Sequence, residues 1–505
     1  MRIHRRFAAW TLPLALIALF ALTAVRGAHS LVRPAGWYSG SRSEEKPGVD
    51  RGAFVGLPYL QLGNVPLDDS TARVDVLWHT TTDEAAWSVE FREASATSWK
   101  KTANPSFRVV DIQDVPAHRI YDATIGGLAP GRLFDFRVLK NNVPVFAGEA
   151  TAKSSEKQAY RFVLFGDCGA NTPSQKKVAY QAYLQKPNFI FIPGDIVYGG
   201  GRVSEYRTNF FSIYDATEAS PEAGAPLLSS TTMIAAPGNH DTEEERDEEA
   251  PDVLAYFLYW AQPLNGPPLR PGGPNAPVPP AAKFQSNFAA AAGRAFPTME
   301  NFSFDWGNSH WTVLDSNDYV DWNDAALRKW VEDDLKQAQK KTWRFVAFHH
   351  PGFNSSKAHF RDQWMRSLSD IFQAEKVDVV FSGHVHNYQR SLPLRFDIAE
   401  SEKPGKTAWS DLTRKAVEGT FSLDTNFDGI TRTHPSGIIY IVSGAGGQTL
   451  YNPEQQSQPE SWQKFTAKFI SQIHSFTVVD IHGKELSLKQ VSEDGEVLDQ
   501  IRVTK

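Results

Sequence analysis

Between about residues 58 and 152, apolar and polar positions alternate with period two. Trp87, Val89 and Phe91 alternate with Ser88, Glu90 and Arg92, and Phe134, Phe136 and Val138 alternate with Asp135 and Arg137. This spacing predicts half-buried antiparallel strands. Turn signals at Asp83-Glu84 and at Ala129-Pro130-Gly131 keep the strands short, as in a small β-sandwich. Nothing in that stretch clusters like a catalytic site, so it reads as a packing or positioning module. After Lys153-Ser-Ser-Glu-Lys157 the pattern changes. Short apolar runs, each closed by a glycine or histidine signal, now alternate with helical patterns. Residues 324–340 place Leu327, Trp330, Val331 and Leu335 on one face, and residues 360–375 form a second helix candidate. Strand and helix in turn predict a layered α/β domain with its functional loops at the strand ends.

The residues that close each apolar run are more specific. FVLF at 162–165 leads into Gly166-Asp167-Cys168-Gly169, and FIFIP at 189–193 leads into Gly194-Asp195-Ile-Val-Tyr198. MIAAP at 233–237 leads into Gly238-Asn239-His240-Asp241, and FVAF at 345–348 leads into His349-His350-Pro351. The run at 377–381 leads into Ser382-Gly383-His384-Val385-His386, and residues 438–443, followed by Gly444, predict a sixth strand. Any one of these would be an ordinary turn. Together they set carboxylates, an amide, a phenol and imidazoles at the strand ends where open α/β sheets build their sites. Residues two apart in an extended segment face the same way, so His384 and His386 can enter one site. Neutral imidazole is a common ligand for zinc and iron. Glycine allows the sharp turns and leaves room beside the chain.

With these blocks in place, the sequence resembles the purple acid phosphatases within the calcineurin-like metallophosphoesterases. Their pattern of GDxG, GDxxY, GNH followed by D or E, VxxH and GHxH is met at all five blocks, with Val346 preceding His349. The resemblance runs over residues 55–503. It implies an α/β fold, a layered βαβ metallophosphoesterase sandwich at 158–503, preceded by a small fibronectin-III-like β-sandwich at 55–153, where LAPGRLFDFRV is similar to that module's closing turn and strand. It further implies one metal held by Asp167, Asp195, Tyr198 and His386 and a second held by Asp195, Asn239, His349 and His384. The pair would be Fe(III) plus a divalent Zn, Fe or Mn, in keeping with hard oxygen ligands at one position and imidazole and amide at the other. His240 is implied near the phosphate and His359 as proton donor to the leaving alkoxide. The activity implied is that of an acid phosphatase that hydrolyses phosphate monoesters by attack of a metal-bound hydroxide. A phosphodiesterase acting on cyclic nucleotides or other diesters remains an alternative, because the motifs do not separate the two.

Composition narrows the partners. At 505 residues two domains are expected. A net charge of −6 leaves no electrostatic footprint for nucleic acid, so the expected partner is a small phosphorylated substrate. The start, Met1-Arg-Ile-His-Arg-Arg6 and then an apolar run to Val25, reads as an export signal over residues 1–27, with a linker at 28–54. That predicts a secreted or periplasmic protein. The run also just reaches spanning length, which leaves an uncleaved membrane anchor open. Cys168 is the single cysteine, so no intrachain disulfide forms; the oligomeric state is not readable. Residues 262–280, rich in proline and glycine, read as an irregular loop, and the acidic run at 241–252 as a solvated face. Residues 424–429 imitate half of an EF-hand, but the twelfth place is Pro435, so a plain turn is expected. His350 and His310 read as structural, and Gln389 stands where the family carries an acid between Tyr388 and Arg390.

Overall fold

The computed structural model describes residues 49–64, 72–242, 249–268, 276–277 and 279–505. The expected signal at 1–27 and most of the 28–54 linker lie outside them, as do parts of the 241–252 and 262–280 segments. No described helix is long and apolar enough to cross a membrane.

Six of the apolar runs are strands, and they divide between two sheets. Tyr160–Leu164, Phe189–Pro193 and Thr232–Ala236 lie side by side and parallel in a ten-stranded sheet. Trp343–Ala347, Val379–Ser382 and Ile439–Ser443 run parallel in a seven-stranded sheet, next to Ser309–Val313. These strands are apolar almost without interruption because both faces of each sheet are covered. The inner faces meet in one core, where Phe162, Phe189 and Phe191 pack against Trp311, Phe345 and Phe381. The Trp311 ring stands edge-on to Phe162 at 5.0 Å between centroids. On the outer faces, helix Pro173–Leu184 buries Val178, Ala179 and Ala182 against the first sheet. Helix Ala325–Gln337 buries Leu327, Val331 and Leu335 against the second. The result is a mixed α/β fold with helices outside and two sheets between.

The period-two stretch forms two sheets around Trp78, Trp87, Val89, Phe134, Phe136 and Val138. One is the four-stranded sheet of Lys100–Lys101, Trp87–Glu93, Leu133–Lys140 and Val143–Thr151. The other, with Gly56–Gln61, Ala72–Thr80, His118–Leu128 and Ser106–Val110, continues the ten-stranded sheet through a parallel contact between Gln61 and Met233.

Four local expectations meet the structure directly. The helix expected at 324–340 is present from Ala325, its first turn capped by the Asp324 carboxylate, which accepts from the amides of Ala326 and Leu327. The helix expected at 360–375 is a correction: helical structure begins only at Trp364, as a 3-10 segment to Leu368, then continues as Ser369–Ala374. The preceding turn is diverted because the Asp362 carboxylate binds two imidazoles instead of capping a helix. The solvated face expected at 241–252 is also corrected at both ends. Asp241 is fully buried, and Asp252 is buried against Arg202 at 2.6 Å. At 424–429 the structure is a plain turn: Asp424 and Asp428 spend their oxygens on the backbone amides of Asn426, Phe427, Ile430, Thr431, Arg432 and Ser436.

Candidate metal centre

The candidate ligands lie just beyond the C-terminal ends of strands from both sheets. Three of them, Asp167, Asp195 and His384, adopt left-handed backbone, with φ of 57°, 50° and 66°. Such conformations cost energy in non-glycine residues and recur at functional sites. Flanking glycines make room: a Cβ on Gly238 would sit 2.2 Å from Asp195 Oδ1, and one on Gly383 would sit 2.7 Å from Asp167 Oδ2. The Gly-Asp, Gly-Asn and Gly-His pairs in the sequence therefore record close packing of loop against loop.

The structure brings all seven expected ligand residues together. Asn239 Oδ1 lies 2.9 Å from His349 Nε2 and 3.0 Å from His384 Nδ1, and those two nitrogens are 3.2 Å apart. His349 Nε2 is also 3.1 Å from Asp195 Oδ1. Tyr198 Oη lies 3.0 Å from His386 Nε2 and 3.4 Å from Asp167 Oδ1. The ligand-type atoms of Asp167, Asp195 and His349 all fall within 4.8 Å of one another.

The outer contacts orient each ring. A carbonyl can only accept, so the nitrogen that faces it carries the proton. His349 Nδ1 donates to Pro193 O at 2.8 Å, and His386 Nδ1 donates to Thr449 O at 2.7 Å. His384 Nε2 faces the Asp362 carboxylate at 3.0 Å. Each ring thus turns its other nitrogen inward, the orientation that second-shell partners impose on metal-bound histidines. Burial pushes His384 down to about 4 and His386 down to about 3, so both are neutral, the ligating form. Burial also works to lower His349, but the adjacent Asp195 carboxylate overcomes it and lifts the ring to about 9. Burial, with Asp195 nearby, raises Asp167 well above the usual carboxylate range. Two buried carboxylates, a phenol, an amide oxygen and imidazole nitrogens thus converge, a donor set that fits cations of the zinc and iron class.

His240 is half-buried beside the centre. Its amide donates to Asp195 Oδ1 at 3.1 Å, and its ring lies 4.5 Å from that of Tyr198. His359 stands at the rim, its ring 4.1 Å from that of His384. His350, although close to His384, is engaged with Ser316 Oγ at 3.0 Å and packs on Trp364. His310 lies in the core between Asp305 and Asp334.

Sequence reasoning gave no role to several contributors. Asp241 accepts the amides of Gly238, Ile196 and Val197, tying the loop of Asn239 to the loop of Asp195 and Tyr198. Its signal is the acid directly after Gly-Asn-His, which the dense charge of the neighbouring acidic run obscures. Tyr451 stacks on His386 at 4.0 Å and 10°, with no motif to announce it. Asp499 binds Arg390 through two hydrogen bonds of 2.7 and 3.1 Å and accepts from Tyr388 at 2.9 Å. An acid from the last strand thus takes the ion-pair role that Gln389 cannot fill, while Gln389 accepts from the Ser355 amide at 2.7 Å.

Comparison with known proteins places this arrangement. Residues 160–388 match the calcineurin-like phosphoesterase family. Residues 437–500 match the family described as iron/zinc purple acid phosphatase-like protein C. Purple acid phosphatase 23 of Arabidopsis thaliana is 24% identical over 295 residues, 54% of this chain and 57% of its own. Purple acid phosphatase 22 of the same plant is 38% identical over 288 residues, 56% of this chain and 52% of its own. The matched part thus spans little more than half of each relative. The structure of purple acid phosphatase PPD1 from yellow lupin seeds shares the fold, with a TM-score of 0.59 at 16% identity over 88% of this chain and 74% of that one. The fold agrees with these matches: residues 160–388 carry a calcineurin-like phosphoesterase domain. Residues 437–500 add a C-terminal domain of the purple acid phosphatase-like kind.

Proposed function

We propose that this chain is an exported dinuclear-metal acid phosphatase acting on small phosphate monoesters. The observation that supports this reading best is the convergence, from five strand ends in two sheets, of two carboxylates, a phenol, an amide and three inward-facing imidazoles. Asp167, Asp195, Tyr198 and His386 would hold one ion, and Asp195, Asn239, His349 and His384 the other, with Asp195 shared. Oxygen ligands suit Fe(III) in the first position, and imidazole and amide suit Zn, Fe or Mn in the second. When bound, such a pair makes a water nucleophilic near neutral pH and neutralises charge on the phosphoryl group. His240, held by its amide on Asp195, offers a ring to a phosphoryl oxygen. His359, on the His384 side of the rim, protonates the departing alkoxide. The net charge of −6 is no obstacle, since the bound cations attract the substrate locally. The basic and apolar start of the chain carries the protein out of the cytoplasm.

The test is metal analysis with turnover of p-nitrophenyl phosphate and bis(p-nitrophenyl) phosphate. The expected result is two metals per chain, iron among them, and kcat/KM on the order of tenfold or more in favour of the monoester. Preference for the diester would move the protein to the phosphodiesterases, and a metal-replete but inactive protein would end the enzymatic reading.

A further inference from the structure

Asp362 lies at the rim of the centre, in the turn that precedes the 3-10 segment Trp364–Leu368, with a side chain about one quarter exposed. A single oxygen, Oδ2, is 2.9 Å from His359 Nδ1 and 3.0 Å from His384 Nε2. Both nitrogens therefore present their protons to the same carboxylate atom. For His384 this settles which side of the ring faces inward: with Nε2 protonated, the Nδ1 lone pair points at Asn239 Oδ1 and His349 Nε2. For His359 it engages Nδ1 and leaves Nε2 as the nitrogen free to exchange a proton. The backbone of His359 is held in left-handed conformation, φ 55°, and its carbonyl accepts from Asn354 Nδ2 at 3.3 Å, so the ring's position does not depend on Asp362 alone.

We propose that Asp362 is a positioning residue that locks His384 in its ligating tautomer and, through the same oxygen, aligns His359 at the leaving-group side. The proposal rests on reading His384 as a metal ligand. One carboxylate then links an ion site to the proton donor, so that loading of the ion and leaving-group chemistry are set together. Neither the strand-end motifs nor the spacing of His359 assigns a role to this residue.

The experiment compares wild type, Asp362→Ala, Asp362→Asn, Asp362→Glu and His359→Ala. Metal content is measured by elemental analysis after graded dialysis against a chelator, and kcat/KM is measured on an aryl and an alkyl phosphate. Asp362→Ala should release one of the two metals at about 10- to 100-fold lower chelator concentration, the usual loss for an outer-shell carboxylate. It should also lose more on the alkyl than on the aryl ester, as His359→Ala does. His359→Ala should keep wild-type metal retention. Asp362→Asn, isosteric but uncharged, should be intermediate, and Asp362→Glu should recover part of both effects. Wild-type metal retention in Asp362→Ala and Asp362→Asn, or metal loss in His359→Ala equal to theirs, overturns the proposal. A wild type that holds fewer than two metals fails the reading of the centre itself, a separate outcome.

Discussion

Two regions of this molecule bury a histidine between two aspartates, and both lift the ring to about 9, yet they differ in what surrounds the carboxylates. Around His310, Asp305 accepts from Nδ1 at 2.8 Å and Asp334 faces Nε2 at 3.0 Å. Ser303 and Thr312 donate to Asp334 at 2.6 and 2.7 Å, and Lys341 reaches Asp305 at 3.1 Å. Burial alone would lower His310, but the Asp334 charge and the hydrogen bonds from both carboxylates push it up to about 9. The cluster balances its own charge with donors from neighbouring elements. Around His349, by contrast, Asp195 and Asp167 meet imidazoles whose protons are spent on Pro193 O and Thr449 O, with Asn239 Oδ1 adding another lone pair. The same residue types thus give a closed structural ion pair in one place and a convergent set of ligand-type atoms in the other. The difference lies in whether the surrounding groups donate to the carboxylates or add further acceptors.

The comparison breaks hardest at Asp195. Asp195→Asn should lower phosphatase kcat/KM by on the order of 10³-fold and strip most bound metal, because in the proposed centre its carboxylate would serve both ions. Near-normal turnover with two metals bound would refute the shared-ligand assignment. In the closed cluster the corresponding change should cost stability and spare chemistry. Asp334→Asn should destabilise the fold by about 3–5 kcal/mol in chemical denaturation, the typical loss when one side of a buried pair is removed, with metal content unchanged. Equal stability would show that Ser303, Thr312 and Asp305 suffice without the second charge.

A smaller effect is a pH dependence that both clusters share, of which Asp334→Asn isolates the part due to His310. The pKa of His310 is raised from 6.5 to about 9 on folding, so its stabilisation is fully present below about pH 6.5 and is lost as pH rises through about 9. The contribution is about 3 kcal/mol. The unfolding midpoint should therefore fall between pH 6.5 and 9 in wild type, and the fall should be blunted in Asp334→Asn. A profile identical in both proteins would remove His310 as the titrating group. The mildest change in the fold, Tyr198→Phe, gives the sharpest signature of the open cluster. It keeps the ring and deletes the oxygen beside His386 and Asp167. If the phenolate binds Fe(III), a visible absorption band in wild type should vanish in the variant while the denaturation midpoint stays within about 0.5 kcal/mol. A colourless, iron-free and active wild type would point to a Zn or Mn centre.

What the sequence determined by itself is local. Period-two stretches became strands, the apolar runs became buried parallel strands, and each Gly-Asp, Gly-Asn or Gly-His pair marked a tight loop at a strand end. Those features arise from neighbouring residues through side-chain alternation and backbone freedom, so they can be read along the chain. Where local reading failed, a distant partner had overridden it. Residues 360–363 did not begin a helix because Asp362 reaches His384, twenty-two positions away, and Asp241 did not face solvent because it caps a loop forty-five positions before it. Only the tertiary structure decided that Asp167, Asp195 and Asn239 rise from one sheet while His349, His384 and His386 rise from the other. The packing of Phe162, Phe189 and Phe191 against Trp311, Phe345 and Phe381 draws the two sets of strand ends together. Chain distance carries no information about which apolar faces will meet. The partners that orient each ring, Pro193 O for His349, Thr449 O for His386 and Asp362 for His384, exist only once those faces have closed.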